Sequence, residues 1–384
     1  MPARLSLLLG ADSLRAPRSG IGRMTALIAA ALQAHPRIAA LRLVARGRVL
    51  HEPLTDTMDT SAPLRSLAAR LAPLRGLHTA WLRHRLGRIA AGLPTPALYH
   101  EPNLIAAPFA GPTIVTVNDL AWRADPSWHP AERIDWIERR LPATLAQASR
   151  FIAVSHFTAR ALQAEFSVPA ERIDVIPLAP APIFFPLQAE ETGSILARLG
   201  LADRGFLLAV GTLEPRKNFD RLLAAHQVLP VALRSRFPLA IAGGAGWGSV
   251  LDTPSARHAV RAGDLRLLGH VPDETLHALY ARCAAFVFPS LLEGFGLPVI
   301  EAMASGAPVI TSSTTAVAET AGTAALLIEP TDTAAITEAM RQVLEDATQA
   351  DRLRQAGLAR AAAFSWNRTA EALIASYDRV LAAS

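Results

Sequence analysis

Two glutamates, Glu293 and Glu301, stand in one segment with seven residues between them. An apolar strand pattern ends before them at Ser290, and Pro298 lies where the first turn of a helix would begin. A carboxylate can accept hydrogen bonds from two adjacent sugar hydroxyls, so this pair can hold two sugar rings. The backbone N–H groups of Gly294–Leu297 can hold phosphate or sugar oxygens. The alternative is that the two glutamates belong to a structural network.

Two adjacent cations, Arg216 and Lys217, form the second candidate cluster, in the motif V-G-T-L-E-P-R-K-N at Val210–Asn218. Lys217 is the only lysine among 38 basic residues. Arginine offers a planar fork and lysine a compact charge, so the pair can neutralise a diphosphate at a strand-to-helix junction. The alternative is two solvated surface cations.

A third candidate is the loop Arg18–Arg23, between the first strand and an apolar helix. Gly20 and Gly22 would let backbone N–H groups approach a phosphate at the helix N-terminus, where the dipole favours an anion. The pattern is not specific, because a tight turn uses the same glycines.

The elements that must position these residues alternate along the whole chain, with six apolar strand candidates in each half and helical patterns between them. Strands of this kind form parallel sheets covered on both faces. Prolines between Ile176 and Pro186 divide the chain with a stiff connector. We therefore predict an α/β fold of two doubly wound Rossmann-like domains facing each other across a cleft, with ligands at the carboxyl ends of the strands.

Composition excludes several classes of protein. The chain has 384 residues, of which 51% are hydrophobic and 18% charged, so it suits two domains with large cores and not a disordered chain. It contains no apolar run of 18 residues, and its first ten residues fit a strand better than a signal peptide.

Cys283 is the only cysteine, which excludes an internal disulfide and a thiolate metal site and predicts a cytoplasmic location. A nucleic-acid partner is not expected, because the net charge of +5 is not organised as an aromatic and basic module.

The segment Thr60–Tyr99 has no acidic residue but six arginines, interleaved with leucines and Trp81. This pattern is typical of a helix lying on an anionic membrane surface, although a solvated face over an ordinary core would look the same. The arginines are Arg65, Arg70, Arg75, Arg83, Arg85 and Arg88.

Over essentially its whole length the chain resembles glycosyltransferase family 4, the retaining transferases of the two-domain GT-B fold. More narrowly, it resembles the branch that holds bacterial O-antigen mannosyltransferases. The marks of the resemblance are G-I-G-R at Gly20–Arg23, the V-G-T-L-E-P-R-K-N motif, and the two spaced glutamates. It implies an acceptor-side domain at 1–178, a linker at 179–188, a nucleotide-sugar-binding domain at 189–365, and a last helix at 366–384 that crosses back to the first domain.

Carried over position by position, the resemblance gives each motif a role. Glu301 would hold the ribose of the nucleotide, and Glu293 would contact the donor sugar. Arg216 and Lys217 would stabilise the diphosphate leaving group. The implied donor-binding residues are Gly20, Gly22, Thr212, Arg216, Lys217, Val271, Glu293, Gly294, Phe295, Gly296, Leu297 and Glu301.

Two departures from the family pattern affect this reading. Thr212 stands where many members have arginine, a charge that Arg216 would supply. In Val115–Leu120 the usual histidine is Asn118, followed by Asp119; an amide can donate a hydrogen bond to a sugar but cannot act as a general base. Asn118 and Asp119 complete the implied catalytic set of Glu293, Arg216 and Lys217. His100 is expected to face the acceptor, and the alternative for it is a structural role.

The resemblance implies hexosyl transfer with retention, through front-face attack assisted by the departing phosphate; a covalent intermediate on Glu293 is the alternative. The expected donor is GDP-mannose, with dTDP-rhamnose or a UDP-sugar as alternatives, and the expected acceptor is a glycan or lipid-linked glycan of a bacterial surface polysaccharide. No D-x-D pair stands in the sequence, so neither a metal nor another cofactor is expected. A binding protein on an inactive GT-B fold is the other alternative, because of Asn118.

Overall fold

A computed structural model of the chain describes residues 4–14, 20–50 and 72–382. The described strands form two separate sheets. The first sheet contains β1 (Leu5–Gly10), β2 (Ile38–Ala45), β3 (Arg48–Leu50), β4 (Ala97–Glu101), β5 (Thr113–Val117), β6 (Arg150–Ala153) and β7 (Ile173–Val175). The second contains β8 (Leu207–Val210), β9 (Leu239–Ala242), β10 (Leu265–Gly269), β11 (Ala285–Phe288), β12 (Val309–Ser312) and β13 (Leu326–Ile328).

The first sheet has the strand order β3-β2-β1-β4-β5-β6-β7, and every pair in it is parallel except β2 with β3. All residues of β1, β4 and β5 are buried, because helices cover both faces of a parallel sheet. The order reverses direction beside β1, and a crevice forms there at the carboxyl ends of the strands.

The second sheet has the order β10-β9-β8-β11-β12-β13 and is entirely parallel. Its central strands, β8 and β11, are adjacent and point their carboxyl ends to the same edge. The loops that carry the candidate cations and the candidate glutamate follow these two strands directly.

Helices fill the connections between strands. In the first half they are Gly20–Gln33, Ala72–Ala91, Ala121–Ala124, Ala131–Glu138, Leu141–Gln147 and His156–Phe166. In the second half they are Ala189–Arg198, Phe219–Val228, Val231–Arg236, Pro254–Ala262, Asp273–Arg282, Leu297–Ala304, Thr315–Ala321, Thr333–Glu345, Ala347–Ala361 and Trp366–Ala382. None of these described helices is both long enough and apolar enough to cross a membrane.

The last helix, Trp366–Ala382, packs on the first half of the chain. Its Ser376 and Arg379 donate hydrogen bonds to the carboxylate of Asp174, at 2.7 and 2.8 Å. Asp378 accepts from Arg37 at 2.8 Å, and the indole of Trp366 donates to the Pro180 carbonyl at 3.0 Å. These contacts tie the end of the chain to the first sheet.

The predicted α/β fold of two doubly wound domains is confirmed, and the differences are local. The short antiparallel strand β3 follows a hairpin at Arg46 and Gly47, whose φ angles are +50° and +72°; it was not predicted, because three residues carry too little pattern. The first helix begins at Gly20, inside the predicted Arg18–Arg23 loop. The predicted Gly20–Arg23 loop is therefore the first turn of that helix.

Candidate active site

The loop after β8 is shaped by residues with unusual backbone angles. Gly211 has a φ of +152° and Asn218 a φ of +62°. The Asn218 angle lies in the left-handed helical region, which asparagine tolerates better than most residues. The Asn218 amide donates to the carbonyls of Pro289 and Pro330, at 3.0 and 2.7 Å. The loop is thereby fixed to the one that follows β11, which carries Glu293.

Glu293 lies between the two candidate cations. Its Oε1 is 2.6 Å from the Lys217 ammonium and its Oε2 is 3.0 Å from the Arg216 guanidinium. Ser290 donates a further hydrogen bond to Oε1 at 2.7 Å, and Arg216 also pairs with Glu214 at 2.9 Å. All four charged residues are buried or nearly so, with at most 14% of each side chain exposed.

The charges of this cluster control its protonation. Burial alone would raise the pKa of Glu293, but Arg216 and Lys217 outweigh it and hold that pKa at about 2. Burial and the neighbouring Arg216 lower the pKa of Lys217, against the attraction of Glu293. Glu293 is therefore an anion at neutral pH that orients two cations at the ends of β8 and β11.

Glu301 lies in the Leu297–Ala304 helix and reaches a different set of partners. Arg23 donates to its Oε1 at 3.2 Å, and the Tyr280 hydroxyl donates to its Oε2 at 3.4 Å. Arg23 also pairs with Asp273, so a side chain from the first half bridges two carboxylates of the second. Burial raises the pKa of Glu301 to about 7, with Arg23 opposing and Asp273 adding to the shift. The Glu301 carboxyl group therefore changes its protonation state near neutral pH.

The two halves touch where Gly294 meets Asn118. A methyl group added at Gly294 would come within 1.5 Å of the Asn118 carbonyl oxygen and 3.1 Å of the Asp119 Cβ, so only glycine allows this approach. The Thr158 hydroxyl donates to the Gly294 carbonyl at 3.2 Å. The structure therefore brings Asn118 and Asp119 next to the loop that carries Glu293.

The remaining donor-binding candidates lie at strand ends and helix starts of both halves. Gly296 is the N-cap of the Leu297–Ala304 helix, with a φ of +92°, and Phe295 is buried beneath it. Thr212 is half-buried in the loop after β8, and Val271 is half-buried just beyond β10. Gly20 and Gly22 lie in the first turn of a helix whose Arg23 reaches Glu301.

His100 does not face the cleft, and the expectation that it contacts an acceptor is wrong. Its imidazole is completely buried, with Nδ1 2.8 Å from the Tyr377 hydroxyl and Nε2 2.8 Å from the Thr116 hydroxyl. Burial lowers its pKa to about 3. His100 is a structural residue that holds the last helix against the first sheet.

Several residues of this site were not singled out from the sequence. Ser290 and Glu214 stand inside the quoted motifs but had no assigned role, and Arg23 had none beyond its place in G-I-G-R. The sequence signal for Arg23 was weak, because its partners Glu301 and Asp273 are 278 and 250 residues away in the chain. Within the described part of the chain, no cluster of three or more His, Cys, Asp or Glu side chains could hold a metal ion.

Family models cover most of the chain. Residues 19–179 match the model described as Glycosyltransferase Family 4, and residues 195–360 match the model described as Glycosyl transferases group 1. The first match covers β2–β7 of the first sheet, the second covers all strands of the second sheet, and the proline-rich connector lies at their boundary.

Relatives and solved structures extend this likeness. The chain is 36% identical over 280 residues to O-antigen chain mannosyltransferase B of Escherichia coli, covering 73% of this chain and 74% of the relative. It is 31% identical over 246 residues to the serotype-specific mannosyltransferase WbdA of Escherichia coli, covering 63% of this chain but only 30% of that one. Sucrose-phosphate synthase from Thermosynechococcus elongatus shares the fold, with a TM-score of 0.74 at 22% identity over 99% of this chain and all of the other.

Proposed function

The chain belongs to glycosyltransferase family 4, and on that premise we propose that it transfers mannose from GDP-mannose, with retention of configuration, to a hydroxyl of a growing surface glycan. Its likeness to O-antigen chain mannosyltransferase B, 36% identity over 74% of that relative, supports the choice of sugar and acceptor class. The second half would bind the nucleotide-sugar, the first half the acceptor, and the reaction would take place at the cytoplasmic face of the membrane.

The observation that carries this proposal is the cluster of Arg216, Lys217 and Glu293 at the ends of two adjacent strands. Cleavage of the anomeric C–O bond leaves negative charge on the diphosphate and positive charge on the sugar. Preorganised cations stabilise the first charge without reorganisation, and the Glu293 carboxylate keeps both cations in position. Because these protein cations neutralise the leaving group, we propose that the reaction needs no divalent metal.

Transfer with purified protein tests the proposal. GDP-mannose and a synthetic mannose-terminated glycan are expected to give an elongated glycan and GDP, at an unchanged rate in excess EDTA. A UDP-sugar or dTDP-rhamnose in place of GDP-mannose should give much slower transfer. Loss of activity in EDTA that Mg²⁺ or Mn²⁺ restores would contradict metal independence, and donor binding without transfer or hydrolysis would favour a binding protein.

Glu301 is expected to control donor affinity and its pH dependence. An ionised carboxylate accepts hydrogen bonds from both ribose hydroxyls, so donor affinity should fall as pH falls through about 7, the pKa of the free site. Glu301→Gln should raise the donor KM roughly 10- to 100-fold, the effect of losing hydrogen bonds to a charged group, spare kcat, and remove this pH dependence. Direct titration of the protein with GDP-mannose at pH 6, 7 and 8 measures donor affinity and its pH dependence. Titration is needed because KM equals Kd only when chemistry is slow relative to substrate release.

We also propose that the helix Ala72–Ala91 contacts an anionic membrane. Leu77 and Trp81 are 69% and 44% exposed on it, and Arg83 and Arg88 of the same helix are also exposed. Arg65 and Arg70 of the predicted segment lie outside the described residues, as does the side chain of Arg75. This exposure fits a helix whose apolar side chains enter the lipid headgroup region.

Replacing Arg83 and Arg88 by glutamine should weaken binding to phosphatidylglycerol vesicles roughly 30-fold, from about 1 kcal/mol for each cation near the surface. The matched control is Arg261→Gln with Arg352→Gln, two exposed arginines of the second half, which should bind like the wild type. If both double variants bound vesicles equally well in a co-sedimentation assay, the helix would be an ordinary solvated surface and the membrane proposal would be wrong.

A further inference from the structure

His129 lies at the cleft, between the short turn Pro126–Trp128 and the helix Ala131–Glu138. Its ring packs against the indole of Trp247, with centroids 5.6 Å apart. Trp247 comes from the second half of the chain, and its Nε1 donates a hydrogen bond to the Trp128 carbonyl. A histidine of one half is therefore covered by a tryptophan of the other.

The loop that carries Trp247 is fixed onto the candidate active site. A methyl group at Gly243 would meet the Gly211 carbonyl oxygen at 1.8 Å, and one at Gly246 would meet the Leu213 carbonyl oxygen at 2.2 Å. Glycines therefore let this loop pack directly on the backbone of the loop that carries Arg216 and Lys217. Trp247 and His129 are consequently part of the same cleft as the charged cluster.

Both ring nitrogens of His129 are shielded from solvent, and neither has a hydrogen-bond partner among the described residues. The buried His100, by contrast, has a partner on each ring nitrogen. A buried donor or acceptor left without a partner costs about 1–3 kcal/mol, and such groups in folded proteins call for an explanation. A ligand that supplies both a hydrogen-bond donor and an acceptor would remove this cost.

Burial and the charges around His129 keep its imidazole neutral. Burial, Arg133 and Arg216 lower the pKa of His129, and Asp119 acts in the opposite direction. The imidazole is therefore neutral at neutral pH, with one N–H donor and one acceptor nitrogen. Arg133 also lies over the Trp247 ring, 5.3 Å from its centroid. A sugar suits these neighbours, because its hydroxyls donate and accept and its C–H face can pack on an indole.

We propose that His129 binds a hydroxyl of a sugar in the cleft. This inference rests on the proposed glycosyltransferase function and names a residue that recognises its sugar substrate. His129 stands eleven positions beyond Asn118 and near Asp119 and Arg216, so it supplies an imidazole to the cleft although Asn118 has none. The sugar is that of the donor or of the acceptor, which share this chemistry.

Steady-state kinetics of two substitutions test the proposal. His129→Leu removes both hydrogen-bonding atoms, and His129→Gln keeps one donor and one acceptor. We expect His129→Leu to raise one KM at least 10-fold with a smaller change in kcat, and His129→Gln to recover part of that loss. The control is His258→Gln, on the exposed face of the Pro254–Ala262 helix, which should match the wild type.

Two assays distinguish the sources of the sugar. A raised acceptor KM with unchanged hydrolysis of GDP-mannose, measured without acceptor, assigns His129 to the acceptor sugar. A raised donor KM with slower hydrolysis assigns it to the donor sugar. Folded variants whose two KM values both stay within twofold of the wild type would overturn the proposal, as would a loss that His129→Gln does not reduce.

A binding measurement separates this inference from the proposed function. In ¹⁵N-histidine-labelled wild type, the ring signals of His129, assigned with His129→Gln, should shift on addition of GDP-mannose or of a mannose disaccharide. If the wild type transfers mannose and neither sugar moves those signals, His129 is not a sugar ligand and the proposed function stands. If the signals move and no sugar is transferred, the binding site stands and the proposed function fails.

Discussion

Lys217→Ala is expected to lower turnover by about 100-fold or more, since a preorganised group aimed at charge that develops in the transition state contributes roughly 3 kcal/mol. The Lys217 ammonium is fixed 2.6 Å from Glu293 and lies 5.0 Å from the centroid of the Phe288 ring. It is therefore held in place before substrate arrives. Single-turnover rates at saturating GDP-mannose measure the loss directly, without the contribution of product release.

Lys217→Arg is the matched variant, because it keeps the charge but changes its shape. The lysine stem passes so close to Gly211 that a methyl group there would lie 3.2 Å from its Cε. A longer, planar guanidinium does not fit this slot, so Lys217→Arg should restore less than a tenth of wild-type turnover. If folded Lys217→Ala kept turnover within threefold of the wild type, Lys217 would have no part in the reaction.

Glu293→Gln is expected to lower kcat about 100-fold while changing the donor KM less. The carboxylate holds Arg216 through one oxygen and Lys217 through the other. An amide has only one accepting oxygen, because its nitrogen is a donor. The same change leaves two buried cations with one fewer anion. It should therefore lower the free energy of unfolding by about 3–5 kcal/mol, as does removal of one partner from a buried ion pair. Stopped assays and thermal unfolding of the same preparation measure both effects.

Glu214→Gln serves as the comparison, because the Glu214 carboxylate also pairs with Arg216, whereas the salt bridge of Lys217 is to Glu293. Glu214→Gln should lower kcat less than Glu293→Gln does. Glu293→Gln and Glu301→Gln should also fail differently, the first in turnover and the second in donor affinity. The reverse pattern would show that the roles carried over from the family are wrong, even though the family is right.

The sequence was sufficient for the architecture and for placing the candidate residues in the loops that follow β8 and β11. Apolar strands of regular spacing predicted both sheets, and Pro298 marked the start of the Leu297–Ala304 helix within one residue. These features depend on local pattern, which a single sequence carries.

Pairing between distant residues could not be predicted from the sequence. Nothing local indicates that Glu293 neutralises Lys217, 76 residues away, or that Arg23 of the first half reaches Glu301 of the second. His100 was expected to face the acceptor, yet its ring points into the protein and meets Tyr377, 277 residues later. Side-chain direction at a strand end depends on packing across the domains, which residue spacing alone does not encode.

The stereochemistry of transfer is the most direct test of the central claim, that this chain is a retaining mannosyltransferase. Wild-type protein would be incubated with GDP-α-D-mannose and a mannose-terminated acceptor, and the one-bond carbon–proton coupling at the new anomeric centre would be read by NMR before any equilibration. The account predicts an α-linked mannose. A β-linked product would contradict retention, and the absence of any mannosylated product, with other nucleotide-sugars reacting instead, would contradict the choice of donor.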